Sequence, residues 1–137
     1  MDTIELNKES LENQEISKEQ VAEELKKNLS PEEVQKILEA VSAKLEEKGA
    51  KKLEQIDVHE QTTLADYFLI CTGTSNTHIR TLCQEVERLM ETEYGMRAHH
   101  IEGYETAQWV LVDFVFFVVH IFRADVREFY SLERLWS

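Results

Sequence analysis

A first helix is predicted by apolar residues that recur at the three- and four-residue spacing of one helix face. Ser30 is placed to cap its N-terminus, Pro31 fits the first helical position, and Gly49 follows the last apolar residue. The prediction is therefore a helix from about residue 31 to 48. Its apolar face consists of Val34, Ile37, Leu38, Val41 and Leu45.

A second helix is predicted after the loop CTGTSNTHIR, residues 71–80. Ser75 or Asn76 can cap it, because a side-chain oxygen at that position accepts a backbone N–H of the first turn. Gly95 marks its end, since glycine readily takes the left-handed conformation that closes a helix. The apolar residues at helical spacing are Ile79, Leu82, Cys83, Val86, Leu89 and Met90.

The remaining apolar runs are short and indicate strands, and a short helix is predicted at 124–130. The predicted strands are 53–59, 67–72, 97–101, 109–114 and 117–122. The run 67–72 is almost entirely apolar, which is typical of a strand buried on both faces. Strands and helices in this order predict an α/β protein with a mixed sheet of about five strands and flanking helices.

Composition divides the chain into two parts. All twelve aromatic residues lie between Tyr67 and Trp136, whereas the first 50 residues contain 13 acidic and 7 basic side chains and no aromatic one. We therefore predict an acidic N-terminal extension over 1–30, largely disordered or weakly helical around Val21 and Leu25, and one domain over 31–137.

The formal charge of −12 argues against nonspecific binding to nucleic-acid phosphates, which depends on Lys and Arg side chains. A basic protein surface, such as that of a ribosomal protein, is a better partner. The two cysteines form no disulfide framework or zinc motif, and the longest apolar stretch, 109–122, is too short to span a bilayer. The expected location is the cytoplasm.

The loop 71–80 raises the question of nucleotide chemistry, since it joins a strand to a helix and contains Gly73. A phosphate-binding Walker loop would need Gly-Lys-Ser/Thr, which is absent. A nucleotidyltransferase would also need two carboxylates two residues apart on a strand, to hold magnesium. Glu85 and Glu87 have that spacing but lie in the predicted helix. Residues two apart in a helix point roughly 200° away from each other around the helix axis, so these two cannot share a metal ion. Asp57 and Asp113 are single carboxylates on separate predicted strands.

Other candidates for chemistry are weak, so we predict no catalytic residue, no metal and no cofactor. His99 and His100 are adjacent on a predicted strand and point to opposite faces. Cys71 and Cys83 occupy apolar positions typical of core thiols. A metal-dependent nucleotidyltransferase stays open as the alternative class.

The aromatic and arginine residues of the second half favour binding over chemistry, because these types are frequent in interface hot spots. They are Tyr104, Trp109, Arg127, Tyr130, Arg134 and Trp136.

Four stretches of the chain closely resemble the ribosomal silencing factor family, also called the Iojap family. They are ADYFLICTGTSNTHIR, IEGYETAQWVLVDF, VVHIF and REFYSLERLW, and the similarity runs from about Val34 to Trp136. The resemblance implies a nucleotidyltransferase-like fold that lacks the catalytic carboxylates. It also implies binding to the large ribosomal subunit at its protein number fourteen, where the factor hinders joining of the small subunit when nutrients are short. A role in large-subunit maturation is implied as well.

The family motifs suggest which residues lie on the partner-binding surface or support it. The matching residues are Tyr67, Glu102, Trp109, Asp113, Arg127, Tyr130, Arg134 and Trp136.

One departure from the family concerns the turn after Asp113 and Phe114, where the family commonly has Gly-Asp and this chain has Val115 and Phe116. A β-branched residue tolerates positive φ poorly, so the turn is expected to be longer or strained, or else its tip presents an apolar patch of residues 114–117. Such a patch would promote self-association. A dimeric interaction scaffold is therefore a further alternative, with a homodimer as its partner.

Overall fold

The computed structural model describes residues 29–63 and 65–130, with side chains to residue 128. Eight helices and strands follow one another in this part of the chain. They are α1 (Pro31–Glu47), β1 (Lys51–Asp57), β2 (Tyr67–Gly73), α2 (Asn76–Tyr94), β3 (His100–Glu102), β4 (Trp109–Asp113), β5 (Phe117–Arg123) and α3 (Ala124–Tyr130). The short helix predicted around Val21 and Leu25 lies outside the described residues.

The five strands form one mixed sheet in the order β1-β2-β5-β4-β3. The two central strands, β2 and β5, are parallel, and every other neighbouring pair is antiparallel. This arrangement confirms the predicted mixed five-stranded α/β fold. It also explains the nearly unbroken apolar runs of β2 and β5, because central strands are covered on both faces.

The helices α1 and α2 cover one face of the sheet, and both begin as predicted. Ser30 Oγ accepts the N–H of Glu33 at 3.1 Å, and Ser75 Oγ accepts the N–H of His78 at 3.0 Å. Gly95 ends α2 in the left-handed conformation with φ of 63°. No helix in the described ranges combines the length and apolar character needed to cross a membrane.

Side chains alternate between two apolar clusters, one on each face of the sheet. The first cluster lies under α1 and α2 and contains Leu69, Val110 and Ile121 from the strands. The second cluster lies on the opposite face and contains Phe68, Ile70, Val118 and Phe122. Val126 of α3 packs against it, which places α3 on the face opposite α2.

Two predicted strands have different bounds in the structure. The strand predicted at 97–101 is only His100–Glu102, because Met96 and Ala98 pack into the first cluster instead of pairing with the sheet. The strand predicted at 53–59 begins earlier, at Lys51, through an irregular register between Lys51 and Glu54 in which Lys52 has φ of 50°.

The β4–β5 turn is strained, as one alternative predicted, but it does not present the exposed apolar patch that the other alternative predicted. Residues 114–117 are between 0% and 4% exposed, so the predicted apolar patch at the tip is wrong. The segment before β2 covers the tip, since the Asp66 N–H donates to the Phe116 carbonyl at 3.0 Å. Val115 has φ of 79°, and the Phe116 N–H donates to the Phe114 carbonyl at 3.0 Å. This is a strained three-residue turn, and its buried tip offers no exposed apolar patch to a dimeric scaffold.

Candidate partner-binding surface

The described residues cover the second face of the sheet incompletely at β3 and β4, and we call this area the open face. Trp109 and Leu111 of β4 are half-buried, while His100 and Glu102 of β3 are exposed. Glu102 is the cross-strand partner of Leu111. Alternation puts all four side chains on the same face, so the open face combines two large apolar groups with an acidic rim.

Trp109 is held in one orientation by the strand beside it. Its indole N–H donates to Nδ1 of His120 at 3.0 Å. Its ring stacks on Phe122 with centroids 4.9 Å apart and an interplanar angle of 26°. A Trp that is held in one orientation and only half-buried suits a docking surface, because little side-chain freedom is lost when a partner binds.

His120 supports Trp109 from a buried position, with 3% of its surface exposed. An indole N–H can only donate, so Nδ1 is the acceptor and the neutral ring carries its proton on Nε2. Burial lowers the pKa of His120 from 6.5 to about 4, although the Asp113 carboxylate raises it slightly. Within the described chain, Nε2 is a buried side-chain nitrogen that has no hydrogen-bond partner.

The buried His120 should make stability fall as the solution becomes acidic. Above pH 6.5 the ring is neutral in both the folded and the unfolded chain, and it contributes no pH dependence. Below pH 6.5 only the unfolded chain takes up the proton, so at about pH 5 folding loses about 2 kcal/mol through this group. We expect urea unfolding at pH 7 and pH 5 to show this loss in the parent and not in His120→Asn.

The Asn side chain keeps an acceptor near the position of Nδ1, and the carboxylates that titrate in the same range are unchanged. Their contribution cancels when the two proteins are compared. If the stability difference between parent and His120→Asn were equal at both pH values, His120 would not be the source of the pH dependence.

The other residues suggested by the family motifs are not all on the open face. Glu102 lies there, with Oε1 2.8 Å from Nε2 of His100. Tyr67 packs against the first cluster, on the opposite face. Asp113 is buried and supports the β4–β5 turn, where its Oδ1 accepts the N–H of Val115 at 2.7 Å.

Arg127 also has a structural role, with 5% of its surface exposed. Its Nη1 donates to the Lys52 carbonyl at 2.5 Å and to the Thr72 hydroxyl at 3.0 Å, so it ties α3 to β1 and β2. Tyr130 is the last residue of α3, and its side chain is outside the described part, as are Arg134 and Trp136. Sequence reasoning missed Leu111 and His100, which the alternation along β3 and β4 could have indicated.

The carboxylates considered for magnesium do not come together. Asp57 ends β1 and Asp113 ends β4, and two strands lie between them, so they are about 14 Å apart across the sheet. Glu85 and Glu87 lie in α2, as predicted. In the ranges that the structure describes, no group of three or more His, Cys, Asp or Glu side chains could hold a metal ion.

Both cysteines are buried thiols, as expected. Burial raises the pKa of Cys71 to about 12. Burial, together with the nearby Glu87 carboxylate, raises the pKa of Cys83 to about 12. A thiol with so high a pKa forms almost no thiolate at neutral pH, so neither cysteine is a nucleophile.

Fold and surface together describe an α/β protein with a mixed sheet, on which the open face carries two half-buried apolar side chains and an exposed carboxylate. Residues 30–137 match the family described as ribosomal silencing factor during starvation. The chain belongs to this family.

Relatives and solved structures agree with that assignment. The chain is 37% identical over 101 residues to the ribosomal silencing factor RsfS of Bacillus subtilis, covering 74% of this chain and 85% of the relative. A crystal structure of a protein from Chromobacterium violaceum superposes with a TM-score of 0.71 at 32% identity, covering 74% of this chain and 84% of that one. A mouse protein named mitochondrial assembly of ribosomal large subunit protein 1 is 31% identical over 98 residues, which cover 68% of this chain and 42% of the mouse protein.

Proposed function

We propose that this protein is a cytoplasmic translation repressor that binds the large ribosomal subunit at its protein number fourteen. The bound factor blocks joining of the small subunit and so lowers translation when nutrients are short. The observation that carries the proposal is membership of the ribosomal silencing factor family over residues 30–137. A role in large-subunit assembly is part of the proposal, since the mouse relative is named for that process.

The open face is the proposed contact with the ribosomal protein. Trp109 and Leu111 supply the apolar centre, and the rigid indole fits the character of an interface hot spot. Glu102 and a formal charge of −12 favour a basic partner and would accelerate association at low salt. Occlusion needs only a bound factor in the path of the second subunit. It requires no nucleotide and no metal chemistry from this chain.

The direct test is sedimentation of the purified full chain with isolated large subunits, followed by addition of small subunits. We expect the parent to co-sediment and to inhibit subunit joining without added nucleotide. Trp109→Ala should weaken binding roughly 30-fold, which is about 2 kcal/mol, because it removes the central aromatic contact. Binding and inhibition should decline together as the concentration is varied.

A matched pair of charge reversals shows whether binding depends on the open face itself or only on the net charge of the protein. Glu102→Lys changes the rim of the open face, whereas Glu93→Lys makes the same change on the exposed surface of α2. Only Glu102→Lys should weaken binding. Equal affinities of these two variants would place the contact elsewhere, and nucleotide incorporation lost on changing Asp57 or Asp113 would favour the nucleotidyltransferase alternative.

A further inference from the structure

A crevice opens at the carboxyl ends of the parallel strands β2 and β5. The chain leaves β2 through α2, which packs on the first cluster, and leaves β5 through α3, which packs on the second. The two connections therefore diverge to opposite faces of the sheet. In α/β proteins such a switch point is where ligands bind, because the diverging connections leave a gap between the strand ends.

The crevice has a volume of about 930 Å³. This is the upper part of the range for small-molecule and cofactor sites, about 300–1,000 Å³. Its walls come from four stretches of chain, which are residues 51–54, 72–74, 123–125 and 127–128. It includes the start of the loop CTGTSNTHIR, whose Gly73 and Thr74 lie at one side.

Cationic side chains gather at this crevice although the protein is acidic. Lys51, Lys52, Arg123 and Arg127 line it, together with three acidic residues, in a chain whose formal charge is −12. The net charge of the residues that line the crevice is therefore positive, whereas the net charge of the whole chain is negative. An anionic ligand is favoured here and disfavoured over most of the remaining surface.

The two lysines are the cations available to a ligand. Arg127 is engaged by Lys52 and Thr72, and Arg123 forms two hydrogen bonds with Asp125, at 2.7 and 2.9 Å. Lys51 and Lys52 are exposed, and neither forms an ion pair within the part of the chain that the structure describes. The register irregularity in β1 lets these consecutive residues line the same crevice, since regular strand neighbours point to opposite faces.

We propose that the switch-point crevice binds a small phosphorylated ligand of nucleotide size. Lys51 and Lys52 contact its phosphate groups, and the hydroxyls of Thr72 and Thr74 at the end of β2 line the same wall. The proposal is for binding without group transfer, because the carboxylates that line the crevice, Glu54, Asp125 and Glu128, belong to no group in the described residues that could hold a metal ion. This site is distinct from the open face and independent of the proposed ribosomal contact.

The test is an NMR titration of the full-length ¹⁵N-labelled chain with GDP, ATP and inorganic phosphate at constant ionic strength. We expect saturable shifts at Lys51–Leu53 and at Gly73 and Thr74. Lys51→Gln combined with Lys52→Gln should raise the Kd of the nucleotide about tenfold or more. Lys36→Gln combined with Lys44→Gln removes the same charge from α1 and should leave the Kd unchanged.

Several results would overturn the proposal. One is the absence of saturable shifts with either nucleotide, and another is an equal loss of affinity in both double variants, which would reflect overall charge only. Binding of a single-stranded RNA without binding of a mononucleotide would also overturn it. Both double variants change residues at the surface and should stay within about 0.5 kcal/mol of the parent in urea unfolding, so lost binding cannot be attributed to lost folding.

Discussion

Gly103→Ala is expected to destabilise the protein by about 3–4 kcal/mol. Gly103 has φ of 80°, and a Cβ built there would stand 2.1 Å from the Trp109 carbonyl oxygen and 3.1 Å from its carbon. The left-handed conformation costs about 1–2 kcal/mol for a residue with a side chain. The clash adds to this cost, because the obstructing atoms belong to the backbone of β4 and cannot rotate away.

Gly95→Ala is the matched control for this change. Gly95 also has a positive φ, of 63°, but no heavy atom beyond its immediate chain neighbours lies within 4 Å of the position that the added methyl group would take. The control should therefore cost only about 1 kcal/mol in urea unfolding. Gly103→Ala should in addition weaken binding to large subunits, since relieving the clash moves the backbone that carries Trp109. Equal losses of stability in the two variants would show that β4 yields to the methyl group without strain.

The elements could be predicted from sequence because each long segment carries a local signal. The helix caps at Ser30 and Ser75 lie where short-range hydrogen bonding requires them. The central strands were recognisable as continuous apolar runs. The edge strand β3 was predicted with the wrong bounds, because a three-residue strand paired on one side has little periodicity of its own.

The turn at Val115 shows where local reasoning fails. Its strain follows from residue type, but its burial depends on the segment before β2, whose Asp66 hydrogen-bonds to Phe116. Nothing in the turn sequence encodes that contact. A turn that leads into a central strand has neighbours around it, so apolar residues at its tip need not reach solvent.

The candidate site was predictable only in part. Trp109 and Glu102 were suggested by family resemblance, and the structure places them together on the open face. The cations of the crevice were not foreseen, because the loop CTGTSNTHIR contains no lysine. Lys51 and Lys52 come from β1, about 20 residues earlier, and the antiparallel pairing of β1 with β2 brings them to the loop.

Arg127→Ala is the second change expected to cost about 3–4 kcal/mol. The Arg127 guanidinium satisfies the Lys52 carbonyl and the Thr72 hydroxyl, and Nη2 lies 3.8 Å from the Glu54 carboxylate. Truncation leaves two polar groups without this donor and removes the packing of the buried side-chain stem. Amide exchange should quicken in β1 and α3 more than in α2, because Arg127 is the link between those two elements.

Two comparisons establish whether the geometry of the guanidinium is what matters. Arg88→Ala removes an exposed arginine whose Nη1 lies 3.4 Å from Glu85, and it should cost less than about 0.5 kcal/mol. Arg127→Lys should recover less than half of the loss, because an ammonium is more strongly hydrated than a guanidinium and lacks the second nitrogen, Nη2, that faces Glu54. Full recovery by Arg127→Lys would mean that charge alone holds α3 on the sheet. If Arg127→Ala cost no more than Arg88→Ala, α3 would instead dock through Val126 and its other apolar contacts.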